Sequence, residues 1–321
     1  MRRSRLLLSA LALGAAITLQ PQASFADYPD KPISFIVPFG AGGGFDQMVR
    51  VLVPKMEKHL GVAIAIKNNP GAGGRRGSIL LYKSKPDGYT MGLNYFVPFL
   101  VDKHILGKKP GLDMEKVSVI YKTSHSRHFV FVAKNGPYKS LKDFTKADKS
   151  IKFPTTGIGA SGWIAASALG AEMGFDSAFV TGYKTLSTAA LAVARGDGDA
   201  GVGAIHHFGG FTNEVQPLVY LGAKREAHYP DVPTIAELGY PQLTALGAAH
   251  VLAAPPGTPE DRLEVLREAA RKAARDPEFI AWGKETATDI EPTEPKGVWE
   301  EVEETGKMFS SLKPLFEKSK N

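Results

Sequence analysis

Apolar and polar positions along residues 33–94 follow a strand, helix, strand order. Short β-branched runs at 33–37 and 62–67 flank a stretch at 47–60 with a helical pattern. A second helix to about residue 83 and a turn at 87–90 lead into a third strand that ends near residue 94. This β-α-β order predicts a parallel sheet that binds ligands at the carboxyl ends of its strands.

A second alternation of strands and helices follows between about residues 125 and 226. It predicts strands at 129–133, 151–153, 178–181, 200–203 and 218–221, and helices at 141–147, 162–173 and 187–195. Thr258 and Pro259 then begin a helix that ends before Pro277, and a last helix spans about 295–316. We expect two α/β sheets, with the final helices covering the first.

Glycines join the first strand to the first helix, in the stretch IVPFGAGGGFD at 36–46. A strand, a loop without side chains and a helix N-terminus present unpaired backbone N–H groups, which favours binding of a carboxylate or a phosphate. Glycine permits both close approach and a positive φ. Asp46 is predicted to cap the helix, and Gly61 to follow its end. An ordinary turn without a ligand is the alternative.

The N-terminal segment has the pattern of a cleaved export signal. Arginines at positions 2, 3 and 5 precede an apolar run at 6–19 and the small-residue site Ser24-Phe25-Ala26, which predicts cleavage after Ala26. About 295 residues then follow, enough for two domains. We expect an exported protein.

Composition excludes several classes of site. The chain has no cysteine, so it has neither disulfides nor thiolate metal ligands. Without the three signal arginines, the 39 basic residues become 36 against 33 acidic ones, and the net charge falls from +6 to +3. That small excess argues against a nucleic-acid partner.

Seven motifs stand in order along the chain: YPDKPI at 28–33, VPFGAGGGFD at 37–46, NPGAGG at 69–74, PDGYT at 86–90, GYK at 182–184, YPDVPT with ELG at 229–239, and APPGTP at 254–259. Together they resemble the receptors of tripartite tricarboxylate transporters, also called the Bug family. The similarity spans nearly all of the chain after the export signal.

The resemblance implies a type II-like periplasmic binding protein with two α/β lobes joined by two crossing strands. Lobe 1 would contain residues 27–124 and 227–321, and lobe 2 residues 125–226, with hinges near 125 and 226. The lobes would close on a tricarboxylate, a dicarboxylate or an aromatic acid and present it to a membrane permease. It implies a monomer in the periplasm, without a cofactor or catalysis. A ligand sensor for a signalling partner, or a hydrolytic enzyme, is the alternative.

A second strand–loop–helix element at 155–163 would face the first. It contains G-x-G-x-x-G at Gly157, Gly159 and Gly162, but no acidic residue follows near 180–183 to bind a ribose. We therefore predict a second anion site rather than a nicotinamide site. The family commonly has a histidine where this chain has Trp163, so the indole either contacts the ligand or packs into the core.

Other residue pairs leave alternatives open. His125 with His128 and His206 with His207 would either meet a carboxylate or bind zinc, but no third ligand is evident, and we predict no metal site. Lys184 either supplies a cleft charge or faces solvent. Relatives often have Asp-Asn at the position of Gly203 and Ala204. The full set of predicted ligand contacts is Phe39, Gly40, Ala41, Gly42, Gly43, Gly44, Phe45, Asp46, Asn94, Tyr95, Thr155, Thr156, Gly159, Ser161, Trp163, Tyr183, Lys184, Gly203 and Ala204.

Overall fold

A computed structural model of the chain describes residues 28–318, so the predicted signal segment 1–26 lies outside the described residues. The first part of lobe 1 alternates strands and helices: β1 (Ile33–Val37), α1 (Gly44–Leu60), β2 (Ile64–Asn68), α2 (Arg75–Tyr82), β3 (Thr90–Asn94), α3 (Val97–Leu100) and β4 (Ser118–Arg127). The predicted β-α-β order is confirmed.

Lobe 2 continues the alternation after a single intervening residue. Its elements are β5 (Phe129–Ala133), α4 (Leu141–Phe144), β6 (Ile151–Pro154), α5 (Ser161–Met173), β7 (Ser177–Val180), α6 (Leu186–Ala194), β8 (Ala200–Gly203), α7 (Ile205–Phe208) and β9 (Val215–Tyr220). The chain then returns to lobe 1 with β10 (Gly247–Ala254), α8 (Glu260–Ala274), α9 (Pro277–Glu285), β11 (Thr288–Asp289) and α10 (Pro295–Lys318).

The lobe 1 sheet has six strands in the order β11-β4-β10-β3-β1-β2. Strands β1, β2 and β3 are parallel, whereas β10 runs antiparallel to both β3 and β4. The carboxyl ends of β1 and β3 therefore lie side by side, as predicted for a ligand site at this edge.

The single second sheet that the sequence predicts is divided in two. Strands β8, β5 and β9 form an antiparallel sheet, and β6 and β7 form a separate parallel pair. Two hydrogen bonds between Lys152 and Asp199, both of 2.9 Å, link the two parts. The N–H of Asp199 donates to the carbonyl of Lys152, and the N–H of Lys152 donates to the carboxylate of Asp199. Both parts belong to lobe 2.

The two crossings between the lobes differ in length. Only His128 separates β4 from β5, close to the predicted hinge at residue 125. The return is longer, because Tyr220 exchanges hydrogen bonds with Pro233 and Ile235 before the chain reaches β10. We therefore propose that the lobe boundary predicted at 226 lies after Ile235.

Two large clusters of buried apolar residues stabilise the lobes. In lobe 1, α1 and α8 bury one face of the sheet through residues such as Met48, Leu52 and Leu266. A second cluster includes Phe309 of α10 and Ile164 of α5, so it spans both lobes. The last helix therefore contacts α5 of lobe 2 in addition to covering lobe 1. Within residues 28–318, no helix is both long and apolar enough to cross a membrane.

Candidate functional site

The first glycine-rich loop ends at the N-terminus of α1. Its N-cap is Gly43, and Gly42 has a φ of 77°, a conformation that favours glycine. The loop uses some of its own donors: Gly42 N–H donates to the Asp46 carboxylate at 2.8 Å, and Gly43 N–H to the carbonyl of Gly40 at 3.3 Å. The first N–H groups of α1, beginning with that of Gly44, have no preceding helical turn whose carbonyls could accept their hydrogen bonds.

Asp46 does not cap α1 as predicted. The helix begins at Gly44, so Asp46 lies within its first turn and reaches back to the loop. Its buried carboxylate also accepts from Arg50 Nε at 2.8 Å and Asn68 Nδ2 at 3.0 Å. Burial acts to raise the pKa of Asp46, but these hydrogen bonds outweigh it and lower the pKa. We interpret Asp46 as support for the loop rather than as a ligand contact.

Lobe 2 contacts this loop directly. Gly40 N–H donates to the carbonyl of Lys184 at 3.2 Å, and a Cβ added at Gly43 would lie 3.0 Å from the methyl of Thr185. A Cβ added at Gly44 would lie 2.0 Å from Nε2 of His206. Glycine at position 44 is therefore required for the lobes to approach this closely.

A second interlobe contact forms between two other glycine-containing loops. Gly157 lies against Gly73, where a Cβ on Gly157 would be 2.8 Å from the Gly73 nitrogen. Arg75 binds Asp102 through two hydrogen bonds of 3.0 and 2.8 Å and donates across the cleft to the carbonyl of Ile158 at 2.6 Å. The lobes are thus closed on each other at two places.

Between these contacts, the N-terminus of α5 brings hydroxyl groups from lobe 2. Thr155 and Thr156 are buried, and their Oγ1 atoms have no hydrogen-bond partner. Ser161 begins α5 and lies beside the hydroxyl of Tyr95 from lobe 1. Burial raises the pKa of Tyr95, against the lowering effect of Ser161, so the phenol stays protonated. The start of α5 therefore meets lobe 1 at Tyr95, directly after β3.

Three aromatic rings of lobe 1 lie between the two contacts. Phe39 and Phe45 have ring centroids 4.6 Å apart, and each lies 5.5 Å from the ring of Tyr95. Phe39 and Tyr95 also pack on Gly74, next to one interlobe contact, while Phe45 follows Gly44 at the other. Asn94, at the end of β3, is buried and neither side-chain polar atom has a partner.

Histidines from two elements and a crossing meet at the Gly44 contact. His206 and His207 of α7 have ring centroids 4.1 Å apart, and His128 lies 6.5 Å from His207. His250 of β10 packs 4.7 Å from Phe45 and bonds Ser124 Oγ through Nδ1 at 2.9 Å. We call His128, His206, His207 and His250 the histidine cluster. Sequence reasoning named three of its members but missed His250, because β10 was not predicted.

The histidine cluster is uncharged near neutral pH. Burial lowers the pKa of His128 and of His250 to about 3, and that of His206 to about 4. The N–H of Ala204 donates to Nδ1 of His207 at 3.0 Å, so the neutral ring carries its proton on Nε2. His207 is thereby fixed as a donor at the atom nearer Gly44, where a Cβ would lie 2.8 Å away. Among residues 28–318, no group of three or more possible ligands is arranged to hold a metal ion.

Comparison with known proteins decides the family. Residues 48–298 match the family described as "Tripartite tricarboxylate transporter family receptor". The chain belongs to this receptor family. BugT of Bordetella pertussis is 26% identical to this receptor over 276 residues, which cover 82% of this chain and 82% of BugT.

Solved structures have the same fold as this receptor. The periplasmic binding protein BugD has a TM-score of 0.82 and 24% identity, covering 91% of this chain and 98% of BugD. MatC from Rhodopseudomonas palustris, solved with bound malate, has a TM-score of 0.79 and 22% identity, covering 89% of this chain and 99% of MatC. The predicted two-lobed α/β binding-protein fold and the Bug resemblance are confirmed.

The remaining predicted contacts of this receptor differ in burial and in the residues they pack against. Trp163 packs against Phe179 of its own lobe, with ring centroids 5.7 Å apart, which favours the core alternative. Gly203 and Ala204 adjoin His207 and hold its ring. Exposed residues are Ala41 and the side chain of Lys184, whereas Tyr183 is half-buried and Gly159 packs on Arg75.

Proposed function

We propose that this receptor captures a small carboxylate in the periplasm and presents it, in the closed form, to the permease of a tripartite tricarboxylate transporter. The family is one of transport receptors, and MatC, which shares the fold, was solved with malate. Tricarboxylates, dicarboxylates and aromatic acids are the candidate ligands. Binding requires no bond to break, because capture needs only a higher affinity in the closed state than in the open one.

One observation carries the proposal. The N-termini of α1 and α5 belong to different lobes, and buried polar side chains at the ends of β3 and β6 and at the first crossing lack protein partners: Asn94, His128, Thr155 and Thr156. A buried polar group without a partner costs about 1–3 kcal/mol. A bound acid, with or without bridging water, would supply these partners and so stabilise the closed form.

Hinge bending at the two crossings would separate the two lobes. The chain passes between the lobes at His128 and after Ile235. Rotation at both crossings would therefore move the N-termini of α1 and α5 apart together. Export with cleavage after Ala26 would place a monomeric receptor in the periplasm. N-terminal sequencing and light scattering of the exported protein test that part.

The experiment is ligand-dependent stabilisation without turnover. Native mass spectrometry of exported, never-unfolded protein identifies any retained acid, and a thermal scan with citrate, malate and benzoate then ranks the classes. We expect at least one acid to raise the melting temperature in a concentration-dependent way, while its amide does not. Conversion of the acid by pure protein would support an enzyme, and stabilisation by none of the acids would contradict the proposal.

A further inference from the structure

A pocket lies between the lobe 1 sheet and the last helix. Its volume is about 80 Å³, and residues of three neighbouring strands, β3, β10 and β4, form its floor. Helix α10 covers it through Val298, Val302 and Phe309. Helix α5 of lobe 2 contributes Ile164. The residues of α1 and α8 pack in a different apolar cluster, so the pocket lies on the other face of the sheet.

The floor of this pocket has an apolar centre between two polar side chains. Val251 of β10 is paired with Asn94 of β3. Ala249 of β10 is paired with His125 of β4. Because directly paired residues of antiparallel strands share a face of the sheet, Asn94 and His125 border the pocket from opposite sides. Ala249 between them is small and half-buried, so a longer side chain at this position would occupy the pocket.

Both polar side chains have unused hydrogen-bonding atoms. Asn94 is 2% exposed, and neither its amide nitrogen nor its amide oxygen has a partner. Nε2 of His125 also lacks a partner, and it lies beside Gly247, where an added Cβ would be 2.3 Å away. Gly247 lines the pocket as well. Since a buried polar atom without a partner costs free energy, an occupant that hydrogen-bonds these atoms is favoured.

The charges around the pocket disfavour an anion. Among residues 28–318, no lysine or arginine lines it, and the charged lining residue is Glu301, whose carboxylate accepts two hydrogen bonds from Lys122. Burial, with the charges of Arg127 and Lys122, holds the pKa of His125 well below its usual value, so this ring is neutral. A carboxylate placed here would lose its hydration without gaining a cation. The pocket therefore suits an uncharged group.

The volume of the pocket limits the size of that group. A cavity of ~150 Å³ holds benzene, so about 80 Å³ has room for roughly three to five non-hydrogen atoms. We propose that the pocket binds a short aliphatic chain that ends in an uncharged amide, hydrogen-bonded by Asn94 and His125. An amide carries a donor and an acceptor side by side, as Asn94 does. Its source is either a separate small molecule or the uncharged end of the captured acid.

Thermal unfolding of the exported protein with neutral amides tests the proposal. Propionamide fits the pocket and is expected to raise the melting temperature by about 3 °C at ten times its dissociation constant. Pivalamide is too large and should not raise it. No rise with propionamide would leave the pocket to water and overturn the proposal, as would an equal rise with both amides.

Ala249→Leu separates binding in the pocket from a general solvent effect of the amide. The longer side chain should abolish the rise with propionamide, and the same change at the exposed Ala281 should preserve it. A rise with propionate that Ala249→Leu abolishes would show that the pocket accepts an anion, against the proposal. If Ala249→Leu does not fold, Asn94→Leu replaces it, because it removes the amide at similar volume. An unchanged response to propionamide in the folded variant would place its binding elsewhere.

Succinamate, which is propionamide extended by a carboxylate, distinguishes the two sources. If the pocket receives the uncharged end of the captured acid, succinamate should bind at least about tenfold more tightly than propionamide in calorimetry, and Ala249→Leu should remove that advantage. If a separate molecule occupies the pocket, Ala249→Leu should leave the affinity for succinamate unchanged. The propionamide result does not depend on carboxylate capture, so either proposal can fail without the other.

Discussion

The two glycine-rich elements of the cleft differ in how they use their polar groups. In lobe 1, the loop before α1 bonds its N–H groups to Asp46, Gly40 and Lys184, and a carboxylate is buried inside it. In lobe 2, the loop before α5 keeps two threonine hydroxyls buried without partners. The first loop is fixed by its own hydrogen bonds and by one bond from lobe 2, whereas the second has unmet hydrogen-bonding capacity.

Gly44→Ala should have the largest effect on ligand binding, because it changes the point where α1 of lobe 1 contacts lobe 2. Its Cβ would overlap His206 and hold the lobes apart, so we expect about 100-fold weaker ligand binding, or about 2.7 kcal/mol, with the fold retained. Titration calorimetry and small-angle scattering measure binding and closure. Gly210→Ala, where no atom lies within 4 Å of an added Cβ, is the control. Adding His206→Ala to Gly44→Ala removes the closest overlap and should recover part of the lost affinity, with the overlap on His207 remaining; no recovery would place the cause elsewhere.

Acid should destabilise the lobe contact at Gly44, where the histidine cluster lies, more than the start of α5. Burial lowers the pKa of His128 and His250 to about 3, below the unfolded value of about 6.5, so their stabilising contribution is complete above that value. It is lost as the pH falls from about 6.5 toward 3, by up to about 1.4 kcal/mol per pH unit for each histidine.

Urea unfolding of ligand-free protein at pH 7, 6 and 5 measures this slope. His128→Asn should flatten it, and the same change at the exposed His59 should not. Equal slopes in both variants would mean that other groups govern the acid response.

Thr156→Val tests the unmet hydrogen bonds of lobe 2. Removing a buried hydroxyl that lacks a partner should raise the free energy of unfolding of the empty protein by about 1 kcal/mol and weaken ligand binding about tenfold. Thr258→Val is the matched control, because its hydroxyl donates to the Pro255 carbonyl at 2.8 Å. The control should lose stability and keep its affinity. Loss of stability in Thr156→Val would show that its hydroxyl is already satisfied.

Trp163→Phe should have the smallest effect. Since the indole packs on Phe179, we expect a loss of about 1 kcal/mol in stability and an affinity within about threefold of the native value. Thermal unfolding and calorimetry measure the two quantities. A tenfold change in preference between acids would mean that the indole contacts the ligand after all.

Most of the fold was predictable because its strands and helices follow simple periodicities. The start of α1 was placed three residues late, since Asp46 is a favourable N-cap residue but Gly43 takes that position. Strand β10 was missed because its sequence, GAAHVLAA, is rich in alanine and poor in β-branched residues. Helix α9 was missed because Pro277 was read as an end, whereas it stands at the first helical position.

The candidate site was predictable in part. Glycines and threonines beside helix starts carry a local signal, so the two facing loops could be named from the sequence. The histidine cluster carries none, because its members come from residues 128, 206, 207 and 250 and meet only through packing of α7 against the α1 N-terminus. The core position of Trp163 likewise depends on its contact with Phe179, which a sequence motif does not encode.

The one-residue crossing at His128 restricts how the receptor can move. Strand β4 of one sheet ends before this residue and β5 of another sheet begins after it, and its carbonyl accepts from the N–H of Leu221 at 2.8 Å. At this crossing, unlike the longer return, a few dihedral angles around one position join the lobes, without a loop that can extend or slide. A solute that contacted this imidazole would act directly at the crossing between the lobes. One residue would then couple binding of the solute to closure of the lobes.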